Sequence, residues 1–204
     1  MAVVGTTVSQ SNRVALRAGL LIPALATVGA SVMLLQAAAY QFRPGDPDQF
    51  WGAMELLYVF GWMSSIVGLM RLNATGRSIG GRLILGILLV TLTLAAAESA
   101  MIAIVPNPDQ STLFYKITDI AWPFSHTFML VVGIAVLVAR TLPGWQRVAP
   151  LLCGLVLPVS FLAVGVGGDL ALRVVFAVGT AVTFTLLAWS VRRAWQIPAP
   201  GDPD

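Results

Sequence analysis

Residues 83–105 read LILGILLVTLTLAAAESAMIAIV, an apolar stretch in which Glu98 is the only charged residue. A helix needs about 20 apolar residues to cross the roughly 30 Å hydrocarbon layer of a bilayer. This stretch has the required length and composition. It therefore predicts a transmembrane helix.

Six stretches of this kind follow one another along the chain, separated by short segments rich in Pro, Gly, Asn and Asp. Such segments mark loops, and because they are short, consecutive helices should be antiparallel neighbours. The sequence therefore predicts an all-α integral membrane protein, built as a six-transmembrane-helix bundle. The predicted helices are residues 18–40, 50–70, 83–105, 120–139, 148–166 and 170–191.

The composition also favours a membrane fold. Of the 204 residues, 57% are hydrophobic and 10% are charged, whereas soluble domains have about a quarter of their residues charged. The formal net charge of +3 is spread along the chain, while a nucleic-acid footprint needs Lys and Arg clustered on one face. We expect one transmembrane domain over residues 1–196, a disordered tail over residues 197–204, and no nucleic-acid partner.

Basic residues are distributed unequally between the two predicted sides of the membrane. Loops rich in Lys and Arg face the cytoplasm, so the nine-to-three distribution predicts that both termini are cytoplasmic. The use of Arg in place of Lys indicates a bacterial genome, and hence a bacterial plasma (inner) membrane. The nine are Arg13, Arg17, Arg71, Arg77, Arg82, Arg140, Arg147, Arg192 and Arg193, and the three are Arg43, Lys116 and Arg173.

An alternative interpretation treats the first predicted helix as a cleaved signal peptide. Arg13 and Arg17 would form its basic region, and the alanines at 37–39 would offer a small-residue cleavage site. However, the apolar run is about twice as long as the usual signal-peptide core of 7–15 residues. We therefore favour a helix that stays in the membrane.

Ionisable residues inside the predicted helices lie in the half of the membrane opposite the arginine-rich side. An ionisable group at the bilayer centre costs about 2.5–3.5 kcal/mol on insertion scales, so such residues are the first place to look for function. The deepest are Glu55, Glu98 and His126. Counted from the predicted helix ends, all three lie at similar depths of roughly 7–10 Å.

Helical spacing predicts which side chains share a face. Glu55, Tyr58 and Trp62 follow one another at i, i+3 and i+7, and Trp122 and His126 at i and i+4, so each set lines one face of its helix. We expect these faces to converge on a pocket that opens to the outside. Its predicted ligand-binding residues are Glu55, Tyr58, Trp62, Glu98, Trp122 and His126.

The shallower polar residues have structural explanations. Asp119 and Thr118 precede the predicted start of the helix at residue 120, where either side chain can cap free N–H groups. Asp169 and Arg173 form an i,i+4 pair at a helix start, an arrangement that stabilises helices. Aromatic residues near helix ends are expected to be interfacial anchors, namely Trp51, Tyr115, Trp145 and Trp195.

Three classes of function fit these residues. The leading hypothesis is a membrane binding, sensing or transport protein that takes a small solute, a proton, a cation or a lipid headgroup from outside. Few polar residues continue towards the cytoplasm, which favours binding or sensing. The second is a non-catalytic subunit or scaffold with a membrane-protein partner. The third is an intramembrane enzyme that uses Glu55, Glu98 and His126.

No motif identifies a cofactor. Zinc, manganese and iron accept imidazole and oxygen ligands, so a metal site would use Glu55, Glu98 and His126. A b-type haem would use His126 and a methionine. The single cysteine, Cys153, excludes a cysteine-based zinc site, and the only lysine, Lys116, is expected in a loop, which excludes a retinal pigment.

Overall fold

The computed structural model describes residues 24, 27–29, 31–32 and 49–192. These residues form helices and no strand. Four helices are long and apolar enough to cross a membrane, which indicates a membrane-embedded helical protein. In chain order they are α1 (Gln49–Arg71), α2 (Ile79–Ile104), α3 (Leu113–Ala139) and α4 (Ala149–Val191), with a 3₁₀ turn at Gly144–Arg147 before α4.

The first predicted helix is described only in part. Residues 24, 27–29 and 31–32 are helical, and Gly29 lies against α1. A Cβ atom at Gly29 would lie 2.8 Å from the carbonyl oxygen of Leu57 and 3.0 Å from the Cα of Tyr58. The rest of that helix, the basic residues before it and the predicted tail at 197–204 lie outside the described residues.

α4 is interrupted at its centre. Gly167 and Gly168 have non-helical backbone angles, and Gly168 has a φ of 65°, a conformation that favours glycine. Val156 and Gly179 touch, since a Cβ atom at Gly179 would lie 3.1 Å from Cγ1 of Val156. In a straight helix these residues would be about 35 Å apart. Residues 149–166 and 169–191 therefore form two antiparallel arms, which correspond to the last two predicted helices.

α3 begins seven residues earlier than predicted. The hydroxyl of Thr112 accepts a hydrogen bond from the backbone N–H of Tyr115 at 3.2 Å and caps the helix. Thr118 lies inside the helix, where its hydroxyl donates to the Tyr115 carbonyl at 2.9 Å. The prediction that Thr118 or Asp119 caps this helix is therefore wrong, because Thr112 already provides the cap.

Glycines allow the closest approaches between helices. A Cβ atom at Gly52 of α1 would lie 2.5 Å from the backbone nitrogen of Ala103 in α2, and one at Gly154 of α4 would lie 2.5 Å from that of Leu130 in α3. Small residues let the backbones of membrane helices pack this closely. Gly52 thereby brings the start of α1 against the end of α2.

The antiparallel helices give the described bundle two chemically different ends. The acidic end contains the start of α1, the end of α2, the start of α3 and the turn of α4. Lys116 also lies there, in the first turn of α3 and not in a loop. The arginine-rich end lies opposite, and its basic residues are Arg71, Arg77, Arg82, Arg140, Arg147 and Arg192.

Candidate functional site

Three acidic residues from three helices lie at one level near the acidic end. Glu55, Glu98 and Asp119 each lie six residues from the end of α1, α2 and α3 at that side. At 1.5 Å per residue, each is about 9 Å inside its helix. We define these three residues as the acid cluster.

Within the acid cluster, the carboxyl groups of Glu98 and Asp119 are close enough to interact, and Glu55 acts on Glu98 electrostatically. Glu98 is buried, with 7% of its surface exposed, whereas Asp119 is exposed. An ionised carboxylate only accepts hydrogen bonds, so one of the two must be protonated to donate. A proton between the two carboxyl groups would relieve their repulsion, and the pair is exposed through Asp119.

Glu55 has a partner suited to both of its protonation states. Its carboxyl group interacts with Ser99, whose hydroxyl donates to the carbonyl of Ala95 over 3.1 Å. A hydroxyl has one proton to donate but can also accept. Ser99 can therefore donate to ionised Glu55, or accept from protonated Glu55 while donating to Ala95.

Tyr115 adjoins the acid cluster, and all three carboxyl groups act on its phenol electrostatically. It is buried, as is Trp51, so both of these predicted interfacial anchors pack against the protein. Trp145 is 49% exposed, while Trp195 lies outside the described residues. Sequence reasoning missed Tyr115 and Asp119 as members of the site because it assigned both to a helix end.

His126 lies deeper than the acid cluster and has both ring nitrogens bonded. Nδ1 is 3.2 Å from the carbonyl oxygen of Trp122, which can only accept, so Nδ1 carries the proton. Nε2 is then an acceptor, and the hydroxyl of Tyr58 donates to it over 3.1 Å. His126 is fully buried and joins α3 to α1 as a neutral ring.

Aromatic rings enclose His126. The ring centroid of Trp122 is 4.2 Å from that of His126, and the centroid of Trp62 is 4.6 Å away. The gap beside Trp62 is too narrow for a water molecule, which makes this region a packed core. We define it as the aromatic box, which consists of Tyr58, Trp62, Trp122, His126, Phe176 and Phe184.

The six residues predicted to line one pocket thus belong to two regions. Glu55 and Glu98 are in the acid cluster, and the other four are in the aromatic box. His126 lies 13 residues inside α3, about 20 Å from its start, so the prediction that it shares the depth of the two glutamates is wrong. The early start of α3 accounts for the difference.

The residues considered for a metal or haem site, Glu55, Glu98 and His126, do not come together around His126 in the described structure. Among residues 49–192 and the short described N-terminal segments, no three His, Cys, Asp or Glu side chains are arranged to hold a metal ion. A haem iron would have to displace the hydroxyl of Tyr58 from Nε2 of His126. Of the ionisable groups in the two regions, Asp119 of the acid cluster is exposed, whereas His126 of the aromatic box is fully buried.

No known protein family, characterised protein or solved structure is detectably similar to this chain. A fold by itself does not identify a function, which must be argued from the chemistry of the site. The function of this chain must therefore be inferred from the acid cluster and the aromatic box.

Proposed function

We propose that this chain is a membrane binding or sensing protein whose acid cluster takes up a proton or a small cation. The observation that supports this most directly is that three helices each bring one acid to the same level, where Glu55 and Asp119 both act on the carboxyl group of Glu98. Two carboxylates this close cannot both be ionised cheaply. A proton between them, or a cation bound to them, removes the repulsion.

The proposed topology places this site on the outside of a bacterial plasma membrane. The unequal distribution of basic residues favours cytoplasmic termini. The helical residues near Gly29 and the two arms of α4 favour a six-helix arrangement. In that arrangement Asp119, the exposed member of the cluster, would meet protons or cations from outside the cell.

The contacts of α1 offer a way to transmit the bound state. α1, α2 and α3 each contribute one acid, so loss of the shared proton would leave like charges at one level and push these helices apart. α1 also carries Tyr58, which bonds His126 of α3. Movement of α1 would therefore strain this hydrogen bond in the aromatic box.

Binding or sensing fits the described structure better than transport. A transported ion needs a polar path that continues from the acid cluster to the arginine-rich end. The aromatic box lies on that route, and the gap within it is too narrow for water. We therefore propose that the ligand binds and leaves on the same side.

A scaffold is the second candidate, and the hydrogen bond between Tyr58 and His126 favours it. Both residues are buried and satisfied, as expected of polar groups that only hold helices together. If the acid cluster does the same, the chain would be a non-catalytic subunit with a membrane-protein partner. An enzyme using Glu55, Glu98 and His126 has less support, since His126 is bonded elsewhere.

Thermal unfolding in detergent distinguishes the two candidates. We expect the Tm of the wild type to fall as pH rises, because deprotonation leaves repelling carboxylates in the cluster, and small cations should restore it. Glu98→Gln keeps the shape of the side chain and should remove most of this pH dependence. If wild type and variant show the same pH profile and no cation raises either Tm, the scaffold is correct.

Asp109→Asn is the matched control for this experiment. Asp109 is an exposed acid in the loop before α3, and its carboxylate accepts hydrogen bonds from the hydroxyl of Ser111 at 2.6 Å and its backbone N–H at 2.9 Å. These bonds hold the pKa of Asp109 below its ordinary value, so it stays ionised near neutral pH. Its replacement should leave the pH profile of the Tm unchanged.

A further inference from the structure

A groove of about 620 Å³ lies at the arginine-rich end, far from the acid cluster. It runs between the first turns of α2 and the last turns of α3. Along α3 its wall extends from Val131 to Ala139, about 12 Å. This wall is apolar, and three of its side chains are largely exposed in the described structure, namely Val131, Ile134 and Val138.

The mouth of the groove is polar and positive. Gly76, Arg77 and Ser78 line it, and a neighbouring hollow of about 250 Å³ shares Gly76 and adds Arg82. Ser78 caps α2 by accepting the N–H of Gly81 at 3.1 Å. The positive end of the α2 dipole therefore adds to the charge of the arginines.

No carboxylate is available to balance Arg77 in the described part of the chain. All the acidic residues described there lie at the opposite, acidic end. Arg77 itself is exposed at the mouth of the groove. A negatively charged group from outside the protein would complement this charge.

Among negatively charged ligands, a phospholipid also accounts for the apolar wall, because its acyl chain can lie along that wall. At the end of a membrane helix, Arg77 lies where headgroups are found, and the wall runs from there towards the bilayer centre. Basic pockets between membrane helices bind anionic headgroups. Gly29, one of the described N-terminal helical residues, does not lie in the groove, because it packs against Leu57 and Tyr58 of α1.

We propose that this groove binds an anionic glycerophospholipid. Its phosphate would lie at Arg77 and the start of α2, with Arg82 close by, and an acyl chain would lie along Ile84, Val131 and Ile134. This site is independent of the acid cluster, so it can be correct or wrong regardless of what that cluster binds.

Two glycines of α2 provide a matched pair of variants. A Cβ atom at Gly80 or at Gly86 would meet nothing within 4 Å, and leucine favours helix more than glycine does. Both Gly80→Leu and Gly86→Leu should therefore fold. Only Gly80 lines the groove, so only its replacement should block the site.

The test uses protein reconstituted into phosphatidylcholine vesicles with a trace of spin-labelled lipid. The fraction of immobilised label is measured for phosphatidylglycerol and for phosphatidylcholine. We expect the wild type to prefer phosphatidylglycerol about fivefold, the ratio typical of one arginine near a membrane surface. Arg77→Gln should abolish most of the preference, and Arg147→Gln, at the same end but outside the groove, should not.

The blocking variants give the second readout. Gly80→Leu should lower the immobilised fraction of phosphatidylglycerol, while Gly86→Leu should match the wild type. The proposal is overturned if the wild type shows no headgroup preference or if the two leucine variants behave alike. It is also overturned if soluble glycerol phosphate displaces the labelled lipid, because the apolar wall would then contribute nothing.

Discussion

The acid cluster and the aromatic box contain polar side chains in neighbouring layers of one helical bundle, yet they differ in how those side chains are paired. In the box, each ring nitrogen of His126 has one hydrogen-bond partner and no water can enter beside Trp62. In the cluster, Glu98 has two other acids as its electrostatic neighbours, and one of them, Asp119, is exposed.

This difference separates polar groups that hold the fold together from polar groups that are able to bind a ligand. A buried polar group that is fully hydrogen-bonded rigidifies the fold, and the box meets that description at His126. Acids that lie close together cannot both be ionised cheaply, and a bound proton or cation relieves their repulsion. The two regions therefore differ in whether their polar groups have suitable hydrogen-bond partners. Depth in the membrane alone would have pointed to His126 as the functional residue.

Removal of Trp62 should have the largest effect on stability. The side chain is 2% exposed and contacts Tyr58, His126 and Phe184. Truncation of a large buried aromatic residue costs about 3–5 kcal/mol. We expect Trp62→Ala to lower the free energy of unfolding in detergent by this amount, and the exposed Trp145→Ala to change it by less than about 0.5 kcal/mol. Similar losses for both would mean that the box is not a packed core.

An added methyl group at Gly52 should have the next largest effect. The new Cβ atom would lie 2.5 Å from the backbone nitrogen of Ala103, and overpacking costs about 1–3 kcal/mol. Because this contact holds α1 against α2 beside the acid cluster, Gly52→Ala should also alter the pH profile of the Tm. Gly86→Ala, with open space around it, is the control and should be neutral or stabilising. A neutral Gly52→Ala would show that α1 and α2 are not in close contact.

The hydrogen bond inside the aromatic box should show a smaller but non-additive effect. Tyr58→Phe leaves Nε2 of His126 without its donor, and an unsatisfied buried group costs about 1–3 kcal/mol. Replacing both partners by apolar residues of similar size can be nearly neutral. We therefore expect Tyr58→Phe combined with His126→Leu to cost less than the sum of the single replacements, measured as a double-mutant cycle. Additive losses would indicate that the two side chains do not interact.

Much of the helical architecture could be predicted because apolar runs of membrane-spanning length identify themselves. α1, α2 and the two arms of α4 correspond to such runs. The start of α3 was predicted too late because residues 113–119, LFYKITD, include Lys116 and Asp119. A criterion based on apolar runs excludes a segment that contains charged residues. The cap at Thr112 was the available signal, since threonine is a preferred residue before a helix.

The candidate site could be predicted only in part. Helical spacing correctly indicates that Trp122 and His126 lie on one face of α3, since their ring centroids are 4.2 Å apart. It does not give the level at which that face meets another helix, which depends on where each helix begins. With α3 starting at Leu113, Asp119 replaces His126 as the group level with the two glutamates.

Infrared spectroscopy of protonated carboxyl groups tests the shared proton most directly. We predict that the wild type at neutral pH shows a protonated carboxyl C=O band that exchanges with deuterated solvent, because Asp119 is exposed. Glu98→Gln should lose most of that band, since the remaining aspartate no longer shares a proton, and Asp109→Asn should retain it. If the wild type shows no protonated carboxyl group at neutral pH, or if Glu98→Gln leaves the band unchanged, Glu98 and Asp119 do not share a proton and the proposed binding site is wrong.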